Sequence, residues 1–391
     1  MRLQEIRRPG GIRPLKFSLG EVPHGTVETN LTCNIRCRAC YNLSRDVVKT
    51  VKELKEEVDL LLRKRNLQVI TVLGGEPTLH PGLREIVAHI KSKGVICQLL
   101  TNGLVFLEDR NDGLLDGLKA EGLDKFLLHI DEGQKHANAD LEKARRTLFS
   151  KCEERKIKFS LSLTIYSDTG RQIPALIKKY AGYRYFDGVL AVLARDSLSP
   201  KAEDPQLLTE YQSLLAGLGI EPLTYIPSFG DDQYLAWVFY GFFINARTAE
   251  AVGFSRLYDR VFRRLYRYVK GRNFFAMRFH PSIIGLLFMA SGVADIASSP
   301  KKMAGYWRVL RKSSFLRNLR FHYVAIQTPP EISQPWDRIQ ICYHCPDATI
   351  RNGKLTPVCV ADLVNPLNGN LPKDTFRDDL YQLVYGHLGE R

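Results

Sequence analysis

The stretch from Thr26 to Cys40 reads TVETNLTCNIRCRAC and places three cysteines directly after a run with the composition of a β-strand. Cys33, Cys37 and Cys40 are separated by three and then two residues, so a tight loop after the strand brings all three thiols to one metal centre. Soft thiolates select zinc or iron-sulfur clusters, and three ligands on a four-iron cube leave one iron open for a non-protein ligand. The alternatives are a zinc knuckle that borrows a fourth ligand and core cysteines that bind no metal.

Outward from this loop, β-rich runs alternate with amphipathic helical runs as far as Leu193, in a cycle of about 30 residues. The predicted strands are 26–32, 68–73, 95–100, 125–130, 158–165 and 188–193, and the predicted helices are 50–64, 83–92, 113–121, 139–152 and 173–180. This alternation predicts an α/β fold, a partial (βα)6 TIM-like barrel rather than a complete one, with functional residues at the carboxyl ends of its strands.

A second motif, Gly74-Gly75-Glu76-Pro77-Thr78, follows the second predicted strand. Two adjacent glycines allow a backbone to approach a small ligand closely, and a glutamate carboxylate accepts hydrogen bonds from a ligand's ammonium group. Taken alone, the motif is also typical of an ordinary turn between a strand and a helix.

Together, the cysteine loop and the Gly-Gly-Glu turn resemble the radical SAM superfamily, over about Thr26 to Leu193. The resemblance implies that Cys33, Cys37 and Cys40 hold a 4Fe-4S cluster whose open iron chelates the amino and carboxylate groups of S-adenosylmethionine. It also implies that the Gly-Gly-Glu turn binds the methionine end of this cofactor. One electron from the reduced cluster then breaks an S–C bond and yields a 5'-deoxyadenosyl radical.

Polar residues at the ends of later strands match the superfamily's cofactor positions with less specificity. They are Thr101 and Asn102 after the third strand, Asp131 after the fourth, and Ser160 with Ser162 on one face of the fifth. Each offers hydrogen-bonding groups to a ribose or a carboxylate, although such residues also favour helix caps and turns. The sequence departs from the superfamily at Ala39, where an aromatic residue often precedes the third cysteine, and Tyr41 follows that cysteine instead.

A second cysteine group consists of Cys342 and Cys345, followed after thirteen residues by Cys359. Between them, Asn352-Gly353 is flanked by β-rich runs and predicts a two-residue hairpin turn that returns Cys359 to the other two thiols. Such a site suits a second 4Fe-4S cluster, or a zinc ion with His344 or an outside residue as fourth ligand. The spacing resembles that of the radical GTP cyclase family of molybdopterin biosynthesis, which implies an auxiliary cluster. That family's arginine-rich run after the second cysteine is replaced here by Pro-Asp-Ala-Thr, so GTP cyclisation is not expected.

The formal net charge of +14 comes largely from one segment, since residues 241–325 carry sixteen Lys or Arg against three acids. Within it, Arg256–Lys270 predicts a helix with apolar residues on one side and arginines on the other, and 306–321 interleaves aromatic and basic residues. Three interpretations are open for this segment. It is a helical insertion that buries its apolar side, a surface for an anionic membrane, or a binding site for RNA or another anionic substrate.

The predicted organisation is an N-terminal extension over residues 1–24, a radical SAM core barrel over 25–196, a helical basic and aromatic segment over 197–325, and a C-terminal auxiliary-cluster hairpin module over 326–391. The first residues lack the apolar stretch of a secretory signal, and no run is apolar and long enough for a transmembrane helix. We therefore expect a cytoplasmic protein, peripheral at the membrane under the second interpretation above.

The predicted function is that of a radical SAM enzyme that abstracts hydrogen from an unidentified substrate, with a lipid or isoprenoid favoured over RNA or a peptide. A reductase, flavodoxin or ferredoxin is then expected as electron donor. The alternative is a non-catalytic adaptor for a membrane or RNA, in which both cysteine groups bind structural zinc on a degenerate barrel.

Overall fold

The computed structural model describes residues 12–15, 18–134, 140–166, 172–194, 213–228, 231–275, 281–311, 317–328, 330–332, 339–342 and 344–367. The centre of the fold is a row of six parallel strands that neighbour one another in chain order. After the short strand β1 (Arg13–Pro14), they are β2 (His24–Glu28), β3 (Val69–Leu73), β4 (Ile96–Thr101), β5 (Lys125–His129), β6 (Lys158–Ile165) and β7 (Phe186–Leu193). The helices that alternate with them are α1 (Val51–Lys64), α2 (Leu83–Ser92), α3 (Asp112–Ala120), α4 (Leu141–Glu154) and α5 (Ile173–Tyr180). The prediction of a partial (βα)6 barrel is confirmed.

Helix α1 shows how local sequence builds these units. It begins with a capping box, in which the Thr50 hydroxyl accepts from the Glu53 N–H and the Glu53 carboxylate accepts from the Thr50 N–H. Its apolar residues Leu54, Val58 and Leu61 recur at helical spacing and are buried on the side that packs on β2. The strand that follows, β3, has the sequence VITVL and is buried on both faces, as in other parallel sheets covered by helices.

The structure corrects the prediction that residues 197–325 form a helical segment. This range contains β8 (Pro222–Ser228), β9 (Asp231–Asn245), β10 (Ala251–Gly253) and most of β11 (Leu319–Gln327). Strand β11 pairs in parallel with β7, β9 pairs antiparallel with β8, β10 and β11, and β1 pairs in parallel with β8. Within the described residues the sheet therefore has eleven strands. Residues 235–244 form an almost continuous buried apolar run, which lacks the polar alternation by which a strand is recognised in sequence.

Three helices in the same range lie side by side. They are α6 (Arg256–Lys270), α7 (Pro281–Ser298) and α8 (Met303–Leu310). Helix α6 has the bounds predicted from its sequence, and α7 packs against both of the others. Of the basic and aromatic stretch 306–321, residues 312–316 lie outside the described part of the chain, and the remainder divides between α8 and β11. No helix within the described ranges is long and apolar enough to cross a membrane.

The C-terminal part packs on the first βα unit. It comprises a small ladder of β12 (Glu331–Ile332) and β13 (Ile339–Gln340), a hairpin of β14 (Ala348–Arg351) and β15 (Lys354–Pro357), and the short helix α9 (Ala361–Val364). The hairpin turns at Asn352 and Gly353, whose φ angles of 48° and 76° are those of the predicted two-residue turn. Cys342, Cys345 and Leu355 belong to the same hydrophobic core as the barrel, so this part is built into the barrel.

Candidate active site

A cavity of about 200 Å³, the upper cavity, lies at the carboxyl ends of the parallel strands. It contains most of the residues predicted for the site. Its wall includes Cys33, Cys37 and Cys40, then Gly74, Gly75 and Glu76, then Thr101, Asn102 and Ser162. The fold therefore brings the cysteine loop and the Gly-Gly-Glu turn to one cavity.

Burial and mutual proximity govern the chemistry of the thiols. Burial, with the neighbouring Cys40 and Asp131, raises the pKa of Cys37 to about 12, and burial also raises the pKa of Cys33. These two thiols stay protonated at neutral pH unless a cation favours the thiolate, as a coordinated metal does. Among the residues that the structure describes, no three His, Cys, Asp or Glu side chains are grouped so as to hold a single metal ion. A four-iron cube does not require such a group, because each thiolate binds a different iron, and three soft thiols on one loop fit it.

The two glycines of the turn are required by backbone packing. A Cβ at Gly75 would lie far inside van der Waals contact with the carbonyl oxygens of Leu31 and Thr32, and a Cβ at Gly74 would meet the carbonyl oxygen of Asn30 in the same way. The Gly75 N–H donates to the Asn30 carbonyl at 2.6 Å. The turn thus packs on the residues that lead directly into Cys33, a role that the sequence did not indicate.

Glu76 is buried, and four donors fix its carboxylate. Oε1 accepts from the Thr78 N–H at 3.0 Å and from the hydroxyls of Thr78 and Thr101 at 2.6 Å, and Oε2 accepts from the Asn102 N–H at 2.8 Å. Oε2 therefore keeps capacity for a further donor. Burial raises the pKa of Glu76, and a cationic ammonium group on Oε2 would offset the cost of burying its charge. Thr101 and Asn102 act here by orienting Glu76.

Asp131 and Ser160 do not reach the wall of the upper cavity. Asp131 accepts from the N–H groups of Gly133 at 2.9 Å and Thr164 at 2.7 Å, so it organises the end of the neighbouring strands. Ser160 accepts from the Tyr323 hydroxyl at 3.0 Å, deeper in the barrel. The alternation along β6 therefore predicted the correct face, but only Ser162, nearer the carboxyl end, lies at the cavity.

His129 is a cavity residue that the sequence interpretation missed, as are Gln134, Thr164 and Gln327. Its Nε2 lies 2.8 Å from Asp131 Oδ2. Burial by itself would lower the pKa of His129, but the Asp131 carboxylate outweighs burial, and the pKa is raised. A histidine two residues before Asp131 at a strand end was the available signal, since residues at this spacing lie on one face.

We expect His129→Gln to lower the free energy of unfolding more at about pH 6 than at about pH 9. Because the folded-state pKa is raised, the stabilisation by the imidazolium is complete below the unfolded value of about 6.5 and is lost as the pH rises through the folded value. Urea titrations of wild type and variant at both pH values measure the effect. An equal loss of unfolding free energy at both pH values would show that protonation of His129 does not contribute to stability.

Residues 27–163 match the radical SAM superfamily. This part of the chain is a radical SAM domain. The Fe-coproporphyrin III synthase of Methanosarcina barkeri is 33% identical over 178 residues, which are 41% of this chain and 42% of that protein. GTP 3',8-cyclase 1 of Mycobacterium tuberculosis is 34% identical over 110 residues, which are 25% of this chain and 29% of the cyclase.

Among solved structures, SuiB of Streptococcus suis bound to S-adenosylmethionine shares 13% identity with this chain. The match covers 50% of this chain and 48% of SuiB, with a TM-score of 0.41. The chain spans less than half the length of the curated relatives named above.

The second cysteine group lies partly in the hydrophobic core and partly at the upper cavity. Cys342 and Cys345 are buried, and the hydrogen bond between them, together with burial, raises the pKa of Cys345 well above its usual range. Cys359 lines the upper cavity, so the hairpin returns it toward the cysteine loop. Tyr41 lies on the same wall; burial raises its pKa, and the nearby Cys40 and Cys359 add to that rise.

Buried charges join the hairpin to the cysteine loop. Arg351 donates to both carboxylate oxygens of Glu28 on β2, at 2.7 and 2.8 Å, and to Asp362 at 2.5 Å. Asp362 in turn accepts from the N–H groups of Leu43 and Ser44, just beyond Cys40. The C-terminal part therefore helps to hold the loop that carries the first three thiols.

Proposed function

We propose that this protein cleaves S-adenosylmethionine reductively and uses the resulting radical to abstract a hydrogen atom from a substrate inside the barrel. The observation that carries the proposal is the convergence of three thiols and the buried Glu76 on one cavity. When bound, a 4Fe-4S cluster supplies the electron that splits the cofactor into methionine and a 5'-deoxyadenosyl radical. A flavodoxin, a ferredoxin or a reductase would deliver that electron.

The residues of the chain have distinct roles in this proposal. Cys33, Cys37 and Cys40 hold the cluster. Glu76 accepts from the ammonium group of the cofactor through Oε2, in the orientation that Thr101 and Asn102 impose. Gly74 and Gly75 hold the turn against the start of the cysteine loop.

The test compares wild type, Cys33→Ala and Cys152→Ala after anaerobic reconstitution with iron and sulfide. Cys152 is the matched control because it is buried in the hydrophobic core, away from the cavity. We expect dithionite-driven release of 5'-deoxyadenosine from wild type and Cys152→Ala, and none from Cys33→Ala. Zinc at both cysteine groups, with no release from any protein, would favour the non-catalytic adaptor instead.

We further propose that Cys342, Cys345 and Cys359 hold a second 4Fe-4S cluster. Cys359 supports this placement because it lines the upper cavity and would set the second centre beside the first. Iron and zinc analysis of Cys342→Ala decides between the metals. Two four-iron cubes give about eight irons per wild-type chain and about four in the variant, whereas a zinc site gives an unchanged iron content and a loss of zinc.

Exposed apolar residues on helices α6, α7 and α8 support attachment of the protein to a membrane. The sequence left open a helix that buries its apolar side, but α6 turns Asp259 and Arg263 toward the body of the protein. Its residues Val261 and Leu265 point outward instead. The exposed apolar residues of the three helices are here called the outer apolar face: Val261, Leu265 and Tyr268 on α6, Leu286, Met289, Val293 and Ile296 on α7, and Trp307 on α8.

Exposed arginines near the outer apolar face would favour binding to an anionic bilayer. Arg260, Arg264, Arg308 and Arg311 are exposed on the same helices or at their ends. Exposed apolar patches of this kind mark interaction sites, and aromatic residues with arginines beside them suit the interface of anionic lipids. We therefore propose peripheral attachment at the cytoplasmic membrane surface, which favours a lipid or isoprenoid substrate over RNA or a peptide.

The double variant Leu286→Ser/Val293→Ser is expected to lower binding to vesicles at least about tenfold, since each side chain contributes roughly 1 kcal/mol or more when it enters the bilayer. Both residues are 65 to 70% exposed, so the fold does not depend on them. Flotation with vesicles of phosphatidylcholine and phosphatidylglycerol measures the bound fraction. Val48→Ser, at another exposed apolar residue, is the control. Wild type that fails to float would contradict membrane attachment.

A further inference from the structure

The barrel holds a second and larger cavity below the first. This lower chamber has a volume of about 870 Å³, whereas the upper cavity has about 200 Å³. The two share Leu73, Leu100, Leu190 and Asp347 in their walls, so they adjoin at these residues. Lys125, Lys158 and Phe186, the first residues of β5, β6 and β7, place the lower chamber at the amino ends of the strands. Its volume is that of a typical small-molecule site.

Aromatic side chains form one wall of the lower chamber. Trp237 and Phe239 stack with ring centroids 5.7 Å apart, and Phe275 stacks on His24 at 4.5 Å. Within this wall, the indole N–H of Trp237 is buried without a hydrogen-bond partner among the described residues. Such groups are rare in folded proteins, because an unpaired buried donor destabilises the fold unless a ligand or water satisfies it. The wall therefore suits an apolar body that carries some polar atoms.

Positive charge dominates the rest of the lining. Eight Lys or Arg line the lower chamber against four Asp, and three of those Asp are paired with Lys91, Lys125 and Arg263. Arg184 is exposed and marks the mouth of the chamber, and it lies close enough to Arg320 for their like charges to interact. The Nη1 of Arg320 donates to the carbonyls of Arg317 and Leu319, and Glu153 acts on its charge as well, but its Nε has no hydrogen-bond partner among the described residues. Two guanidinium groups in this arrangement suit an anionic group between them.

The lower chamber also lies directly beneath the helices of the outer apolar face. Helix α6 contributes Asp259 and Arg263 to its lining, and α7 contributes Ile284. The same two helices carry the outward apolar residues proposed above to enter a bilayer. A molecule that leaves the membrane at these helices is therefore already at the wall of the lower chamber.

We propose that the lower chamber binds the substrate of this protein, an amphipathic anion whose apolar body lies along the aromatic wall and whose anionic group binds Arg184 and Arg320 at the mouth. The binding of this molecule is inferred from the residues of the chamber alone. Only the abstraction of a hydrogen atom from it rests on the function proposed above. Four residues along β5 separate Lys125 in the lower chamber from His129 in the upper cavity, a distance of about 13 Å. An extended chain of that length spans the distance between the two cavities and presents a C–H bond to the cofactor.

Isothermal titration calorimetry with dodecyl phosphate, below its micelle concentration, tests this proposal. The reconstituted protein is titrated without S-adenosylmethionine or reductant, so the result is independent of deoxyadenosine release. We expect saturable binding to wild type and at least tenfold weaker binding to Ala325→Phe, which fills the chamber between Leu190 and Phe239. Ala325→Leu is expected to give a smaller loss and provides the same test if the phenylalanine variant does not fold.

Two further variants test whether the anionic group contributes to binding and whether the ligand binds in the chamber. Arg320→Met should weaken dodecyl phosphate about tenfold and leave the neutral dodecyl maltoside unchanged. Leu286→Ser on the outer apolar face should leave the titration unchanged, because that residue lies outside the chamber. The proposal is overturned if Ala325→Phe and Ala325→Leu both bind as wild type does, if Leu286→Ser alone removes binding, or if inorganic phosphate competes fully, which would show an anion site without an apolar part.

Discussion

Arg351→Ala is expected to lower the free energy of unfolding by about 3–5 kcal/mol at neutral pH. Arg351 is fully buried and pairs with two carboxylates, Glu28 and Asp362, that are themselves almost without exposure. Its removal leaves both charges buried without a partner. Because Asp362 also holds the backbone of Leu43 and Ser44, the iron content at the cysteine loop should fall as well. Urea unfolding and iron analysis measure the two effects.

The pH dependence and a matched control make this prediction specific. In wild type, Arg351 outweighs the effect of burial and lowers the pKa of Glu28, so its stabilisation is present above about pH 4.5 and is lost as the pH falls through the folded value. The gap between wild type and variant should therefore narrow toward acid pH. Arg84→Ala, which removes the half-exposed pair with Glu121, should cost no more than about 1 kcal/mol. Similar losses for both variants would mean that Arg351 does not stabilise the attachment of the hairpin.

The sequence between Thr26 and Leu193 predicted the barrel because its signals are local. Each helix buries residues at a spacing visible in a short window, as Leu54, Val58 and Leu61 do on α1, and strands such as β3, with the sequence VITVL, are short β-branched runs. The cysteine loop and the Gly-Gly-Glu turn both follow predicted strands, and parallel strands end at one edge of a sheet. The meeting of these motifs at the upper cavity was therefore predictable.

Other features could not be predicted from the sequence, because they depend on contacts between distant parts of the chain or on burial. Glu28 and Arg351 are 323 positions apart, and nothing local to either residue indicates the pair. The strands β8, β9 and β11 were missed because almost continuous burial removes the alternation that a one-sided strand shows. The sequence of α6 defined two faces correctly, but only the burial of Asp259 and Arg263 shows which face packs on the protein.

Gly75→Ala is the second substitution with a large expected effect. An added Cβ would overlap the carbonyl oxygens of Leu31 and Thr32, and backbone atoms inside a sheet edge have little freedom to move. Overpacking of this kind costs about 1–3 kcal/mol or more. The strain falls on the residues immediately before Cys33, so we expect the first cluster site to lose its iron while the second keeps it.

Gly113→Ala separates this effect from a general response to replacing glycine. Gly113 lies in α3, a Cβ there meets nothing within 4 Å, and the substitution should be neutral or stabilising by about 0.5–1 kcal/mol. Iron bound per chain and release of 5'-deoxyadenosine are measured for both variants and for wild type. If Gly75→Ala retains the full iron content and releases 5'-deoxyadenosine as wild type does, then the turn does not position the cysteine loop. The requirement for glycine would then reflect only the close approach of a ligand, as its sequence first indicated.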